Sequence, residues 1–158
     1  MKIDYKKLTV AIIISHLAGA IGSFFTINSV ETWYQMINRP AFTPPDWLFG
    51  PVWFLLYTLM GIALYNIWQI RWFKKKRAQF AIKLFYVQLV VNTLWSVVFF
   101  GLQNPIAALG VIVLLFGLVV WMMSMFWSLD KKSGYLLVPY VAWLSYALVL
   151  NAGIALLN

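Results

Sequence analysis

The sequence predicts an all-α membrane protein, a bundle of five transmembrane helices forming one membrane domain over residues 1–158. Three observations predict it. Hydrophobic residues fill 63% of the 158 positions and charged ones 10%, which leaves too little polar surface to wrap a water-soluble globule of this size. Long apolar runs recur from end to end, and at roughly 20 apolar residues per crossing the chain divides into five spans. The breaks between the runs carry turn or charge signals.

The first span is expected over Leu8 to Ile27. Met1 to Lys7 ahead of an apolar run imitates a signal peptide, but the run continues past about 15 residues and no small-residue cleavage site precedes a soluble domain. The other spans are expected from Trp47 to Trp72, Phe80 to Leu102, Ile106 to Ser128 and Gly134 to Leu157. Each is long enough to cross with modest tilt. Arg71, Lys74, Lys75, Lys76 and Arg77 divide the second from the third. Gln103-Asn104-Pro105 reads as a tight turn, and Asp130-Lys131-Lys132-Ser133-Gly134 as the last break.

Alternating sides gathers Lys2, Lys6, Lys7, Arg71, Lys74, Lys75, Lys76, Arg77, Lys83, Lys131 and Lys132 at one face of the membrane and leaves Arg39 alone at the other. Short basic loops stay cytoplasmic, so the N-terminus is expected inside, the C-terminus outside, and the loop from Asn28 to Asp46 outside. The net charge of +8 is thereby accounted for as orientation, and no nucleic-acid surface is expected. The absence of cysteine removes disulfides, thiolate metal sites and cysteine nucleophiles together. Asp4, Glu31, Asp46 and Asp130 all lie outside the spans and are scattered, so no carboxylate pair, metal-ligand spacing or catalytic triad is expected. Any chemistry would have to come from light, oxygen or a bound cofactor.

The loop 28–46 is long, about nineteen residues where bundle connections take two to eight. Trp33, Tyr34, Arg39, Pro40, Phe42, Pro44, Pro45 and Asp46 suit a stiff, packed lid. An interfacial aromatic belt explains the same residues. Below it, Trp53, Tyr57 and Gly61 share a face of the second span, with Gly61 expected to open room beside the aromatics. Gln88, Asn92, Trp95 and Phe99 share a face of the third, and Pro139, Trp143, Ala147 and Asn151, with Tyr140 beside them, a face of the fifth. At 1.5 Å per residue Trp53 lies roughly 10 Å below the outer surface, and Asn92 and Trp143 roughly 15 to 20 Å. The three faces are expected to meet under the loop as a cavity for a flat apolar ligand, stacked on indoles and oriented by amides. Aromatic helix packing with amides as interhelical glue is the competing reading. In either case Gln88, Asn92 and Asn151 must find partners inside the bundle.

His16, the one histidine, sits in mid-span. It serves either as an interhelical hydrogen-bonding group or as an axial ligand to a metalloporphyrin. Around it Ala11, Ser15, Gly19 and Ser23, with Ala18 and Gly22, form a small-residue stripe that lets another helix approach closely.

These residues together resemble the TspO/MBR family, which includes the translocator proteins and tryptophan-rich sensory proteins formerly called peripheral benzodiazepine receptors. The resemblance is carried by Trp33-Tyr34, Arg39-Pro40-x-Phe42-x-Pro44-Pro45-x-Trp47, Phe49-Gly50-Pro51-Val52-Trp53 with Tyr57 and Gly61, Gln88-Leu89-x-x-Asn92-x-x-Trp95, and Pro139-Tyr140-x-x-Trp143 with Leu150-Asn151. It implies a usually dimeric five-helix protein, in a bacterial cell membrane, whose first loop caps a pocket for porphyrins such as protoporphyrin or haem and for benzodiazepine-type molecules. No resident cofactor is implied. The implied function is a binding protein acting as sensor, carrier or regulator, with light- and oxygen-dependent porphyrin degradation as the alternative. Trp53 and Trp143 correspond to the family's pocket tryptophans, Trp33, Tyr34 and Trp47 to the lid and its hinge, and Asn92 to an inner polar contact. Ala152 and Leu156 stand where animal members' sterol motif has a tyrosine and a basic residue, which counts against sterol handling. The looser pattern Leu59-x5-Tyr65-x5-Arg71 arises beside any basic loop.

Overall fold

A bilayer offers no water to the backbone, so each apolar run satisfies its own peptide groups by coiling into a helix. The computed structural model describes residues 3–70 and 75–158. Its elements are α1 (Tyr5–Glu31), the one-turn α2 (Trp33–Met36), a 3-10 turn Asp46–Leu48 leading into α3 (Phe49–Ile70), α4 (Lys75–Ser96) continued by a π-helical turn Val97–Gly101, α5 (Pro105–Leu129) and α6 (Lys131–Leu157). The five long helices are each long and apolar enough to cross a membrane. The predicted end of the second span at Trp72, and Lys2, Arg71 and Lys74 of the basic tally, lie outside the described residues, as does the end of the loose sterol pattern at Arg71.

Three local features differ from the expected boundaries. α1 runs on to Glu31, so the loop begins four residues later than Asn28, because nothing between Ile27 and Glu31 breaks a helix. Asp130 ends α5 and caps α6 at once, its carboxylate accepting from the Ser133 N–H at 2.8 Å. The expected five-residue break is therefore one capping residue followed by the first turn of α6. At the other end of α5, Asn104 accepts from the Ala107 N–H at 2.9 Å with Pro105 in the first helical turn, and Gln103 takes φ 52° to make the corner.

The long helices close into a ring: α1 packs on α3 and α4, α3 on α6, α6 on α5, and α5 on α4. Two glycines mark close helix contacts. A Cβ on Gly61 would stand 2.6 Å from the Ile12 Cα, so α3 and α1 touch backbone to backbone there. Gly61 opens no room beside Trp53 and Tyr57, contrary to the expectation, because α1 fills it. On Gly134 a Cβ would meet the Trp127 ring at 2.7 Å, which fixes the α5–α6 seam. The small-residue stripe divides likewise: Ala11, Ser15, Ala18 and Gly22 are buried in the bundle.

Candidate ligand cavity

The amides predicted to need partners have them. The Tyr57 hydroxyl donates to Asn92 Oδ1 at 2.7 Å, Asn92 Nδ2 donates to the Tyr140 hydroxyl at 2.9 Å, and that hydroxyl donates to Gln88 Oε1 at 3.0 Å. Gln88 Nε2 reaches the Met60 sulfur at 3.8 Å. One turn nearer the loop, Trp95 Nε1 donates to Asn151 Oδ1 at 3.0 Å, and Asn151 Nδ2 to the Pro105 carbonyl at 2.8 Å. These chains tie α3, α4, α5 and α6 together, and Gln88, Asn92, Tyr140 and Asn151 are essentially inaccessible. Hydrocarbon leaves no alternative partner, so each bond is a structural necessity.

The open space lies on the other side of Tyr57. A cavity of about 580 Å³ runs between α1, the first half of α3 and the end of α4. Its aromatic wall is Tyr34, Phe49, Trp53, Tyr57, Trp95 and Phe100, and its opposite wall is the small-residue side of α1 from Gly19 to Thr26. Trp53 stacks on Tyr57 with ring centres 5.5 Å apart and meets Tyr140 edge-on. The π-helical turn adds a residue to the last turn of α4, which lets the consecutive Phe99 and Phe100 both turn inward. Phe100 lines the cavity, while Phe99 packs on Trp33, Tyr34 and Trp95.

The loop closes one end. Tyr34 is buried against Phe49, Phe99 and Phe100 with the Arg39 guanidinium 4.9 Å over its ring. Burial pushes its phenol up to about 12 against the opposing pull of Arg39. Arg39 bonds Asp46 at 3.1 Å and Gln35 at 3.2 Å, and Gln35 also donates to Asp46 at 2.6 Å. Across the loop, the Tyr146 hydroxyl donates to the Phe42 carbonyl at 2.7 Å, Pro40 sits on Gly153, and Asn38 and Asn158 exchange hydrogen bonds at 2.9 Å. The loop is thus fastened to α6.

Among the residues singled out from sequence, Tyr34, Trp53, Tyr57 and Trp95 line the cavity. Gln88, Asn92 and Tyr140 belong to the polar chain behind it. Trp33 stands edge-on to Phe99, and Trp47 is 72% exposed. Trp143 packs between Phe49 and Tyr146, its buried indole N–H without a partner, and Ala147 is buried on α6. The structure thus brings α1, α3 and α4 around the space, where α3, α4 and α6 had been expected. Gly19, Gly22, Ser23, Thr26, Phe49, Phe54, Ser96 and Phe100 were not among the site residues. The signal for α1 was present in its small-residue stripe, which was read only as a close-packing face. His16 makes the interhelical bond expected of it, to Thr58 at 3.0 Å, and also lines the cavity. Among the described residues no group of acids, histidines or cysteines could hold a metal ion.

Fold and site define an integral multi-pass membrane protein whose helices line an aromatic-walled cavity beneath a fastened loop. The TspO/MBR family model matches residues 11–157. The chain is 44% identical over 152 residues to the tryptophan-rich protein TspO of Archaeoglobus fulgidus, covering 96% of this chain and 97% of that protein. It is 42% identical over 140 residues to the protein of the same name from Chlorobaculum tepidum (89% and 88% covered). To the human translocator protein it is 31% identical over 131 residues (83% and 78%). This chain belongs to the TspO/MBR family.

Proposed function

We propose that this protein binds porphyrins and similar flat apolar molecules in the bilayer and acts as a sensor, carrier or regulator of them. The observation that carries the reading is the cavity of about 580 Å³ walled by Trp53, Tyr57, Trp95 and Phe100. Its volume is that of a small-molecule site, and its lining supplies stacking area with few polar groups. The names of the relatives, tryptophan-rich protein TspO and translocator protein, fit a membrane protein that handles small molecules. The test is titration of purified protein with protoporphyrin, followed by quenching of tryptophan fluorescence. Saturable quenching that Trp53→Ala weakens about ten-fold or more supports the reading; unsaturable quenching, unchanged by Trp53→Ala, sinks it.

The second reading, light-driven porphyrin degradation, is favoured by the two oxidisable indoles of Trp53 and Trp95 on the cavity wall. Illumination of the complex in air and without oxygen separates the two. Porphyrin recovered unchanged supports binding alone, and a new absorbing product made only in air supports degradation.

The proposed assembly is a homodimer with the N-terminus in the cytoplasm. Lys6, Lys7, Lys76, Arg77, Lys83, Lys131 and Lys132 support that orientation, since all are exposed and lie at or near one end of the bundle. Since the chain has no cysteine, Ala41→Cys provides a single label site on an exposed part of the loop. Reaction with an impermeant reagent on intact cells is expected, and reaction only after permeabilisation reverses the orientation.

A further inference from the structure

The cavity lining holds one imidazole, and its contacts assign its tautomer. His16 Nε2 lies 3.0 Å from Thr58 Oγ1, and Thr58 Oγ1 lies 2.9 Å from the Phe54 carbonyl oxygen. A carbonyl has no proton to give, so the single Thr58 hydroxyl proton goes to Phe54, the usual back-bond of a threonine inside a helix. His16 must then supply the proton of its own contact. This assigns hydrogen to Nε2, and in the neutral imidazole Nδ1 is then the acceptor.

Nδ1 has no hydrogen-bond partner among the described residues. Nor is it sealed: the buried unpaired side-chain atoms are Ser29 Oγ and Trp143 Nε1. With Phe54 and Tyr57 against its ring at 4.8 and 6.0 Å, the imidazole stands on the cavity lining with this nitrogen accessible. The rest of the lining offers no second base at this end of the cavity. Ser23 and Thr26 donate to carbonyls of their own helix. The lining carboxylates, Glu31 and Asp46, lie towards the loop, and Glu31 is about 22 Å along α1 from His16 at 1.5 Å per residue.

We propose that His16 anchors a carboxylic acid group of an otherwise apolar ligand at the inner end of the cavity; the proposal rests on the cavity being the ligand site described above. A bare carboxylate entering this apolar space would lose its hydration uncompensated. Taking up one proton from water removes that penalty, and the resulting O–H donates to Nδ1. Whether the shared proton rests on oxygen or on nitrogen, acid and imidazole together carry no net charge, so no further counter-ion is required. The same arrangement orients the ligand. Its acid end points inward, away from Glu31 and Asp46, and its apolar body lies along Trp53 and Trp95.

The test compares pheophorbide a, a tetrapyrrole with one free carboxyl, with its methyl ester, which lacks the acidic proton. Affinities of both are measured in wild type, His16→Leu and His16→Asn; the asparagine variant keeps a polar atom near the Nδ1 position but takes up no proton. Wild type is expected to hold the acid roughly ten-fold or more tightly than the ester, the scale of a charge-assisted hydrogen bond. Both variants are expected to close that gap, read as the ratio of acid to ester affinity within each variant. A gap that survives in either variant overturns the proposal, and so does equal affinity in wild type. Ester binding without a gap removes the role of His16 alone, whereas failure of wild type to bind either compound removes the cavity reading with it. Should the leucine variant fail to fold, the asparagine variant decides by the same criterion.

Discussion

Two regions on either side of Tyr57 are built from the same kinds of side chain and end in opposite states. Towards α6, Tyr57, Asn92, Tyr140 and Gln88 are buried and join one another in a chain of hydrogen bonds of 2.7 to 3.0 Å. Towards α1, Trp53, Tyr57 and Trp95 face a cavity. The difference is the partner helix. α6 presents large side chains with polar ends that complete the network, whereas α1 presents glycine, alanine, serine and threonine, which are too small to fill what the aromatics leave. Aromatics with amides therefore do not define a pocket on their own; what the facing helix brings decides between glue and cavity.

The seam below the cavity gives the largest expected effect. Gly61→Leu drives a side chain into the Ile12 backbone and should cost about 3 kcal/mol, read as a lowered thermal midpoint in detergent. A stability within experimental error of wild type would show that α1 is free to yield, and would weaken the contrast. Next in size is Asn92→Leu, which removes the acceptor of Tyr57 and a donor to Tyr140. It should cost about 2 kcal/mol of stability, with protoporphyrin affinity changed by less than the stability loss suggests. A large affinity loss in a variant of unchanged stability would move Asn92 from glue to ligand contact.

How far all this was legible follows from what periodicity encodes. Five spans and their order follow from hydropathy, because the bilayer imposes length and apolarity on every crossing. The need of Gln88, Asn92 and Asn151 for internal partners was legible for the same reason, since hydrocarbon forbids a lone amide. Which helices face one another was not legible: residues at i and i+3 show that Tyr140 and Trp143 lie near one face of α6, but not what stands opposite. The π-helical turn shifts register after Ser96, and no spacing rule announces it. The stripe on α1 signals close approach, and that is what it gives, down to Gly19 against Tyr57 and Gly22 against Ser96; only the fold shows that from Gly19 onward the same side also borders the cavity.

Smaller effects belong to the loop. Arg39→Gln breaks the pair with Asp46, whose side chains are 28% and 32% exposed, and such a pair contributes less than about 1 kcal/mol. Its loss should barely move the thermal midpoint, because Tyr146, Gly153 and Asn158 still fasten the loop to α6. A marked drop would mean that the loop hangs on this one pair.

The central claim is that ligand sits on the α1 side of Tyr57 and not between α3 and α6. Protoporphyrin affinity of Thr26→Trp, set beside that of Trp143→Phe, tests it most directly. Thr26 lines the cavity, and an indole there occupies the ligand's space at a stability cost within about 0.5 kcal/mol, since no packed neighbour is displaced. Trp143 lies outside the lining, against Phe49 and Tyr146. The expected result is about a ten-fold or greater loss for Thr26→Trp and a change within about two-fold for Trp143→Phe. Full affinity in Thr26→Trp together with a large loss in Trp143→Phe would place the ligand on the α6 side and contradict the account.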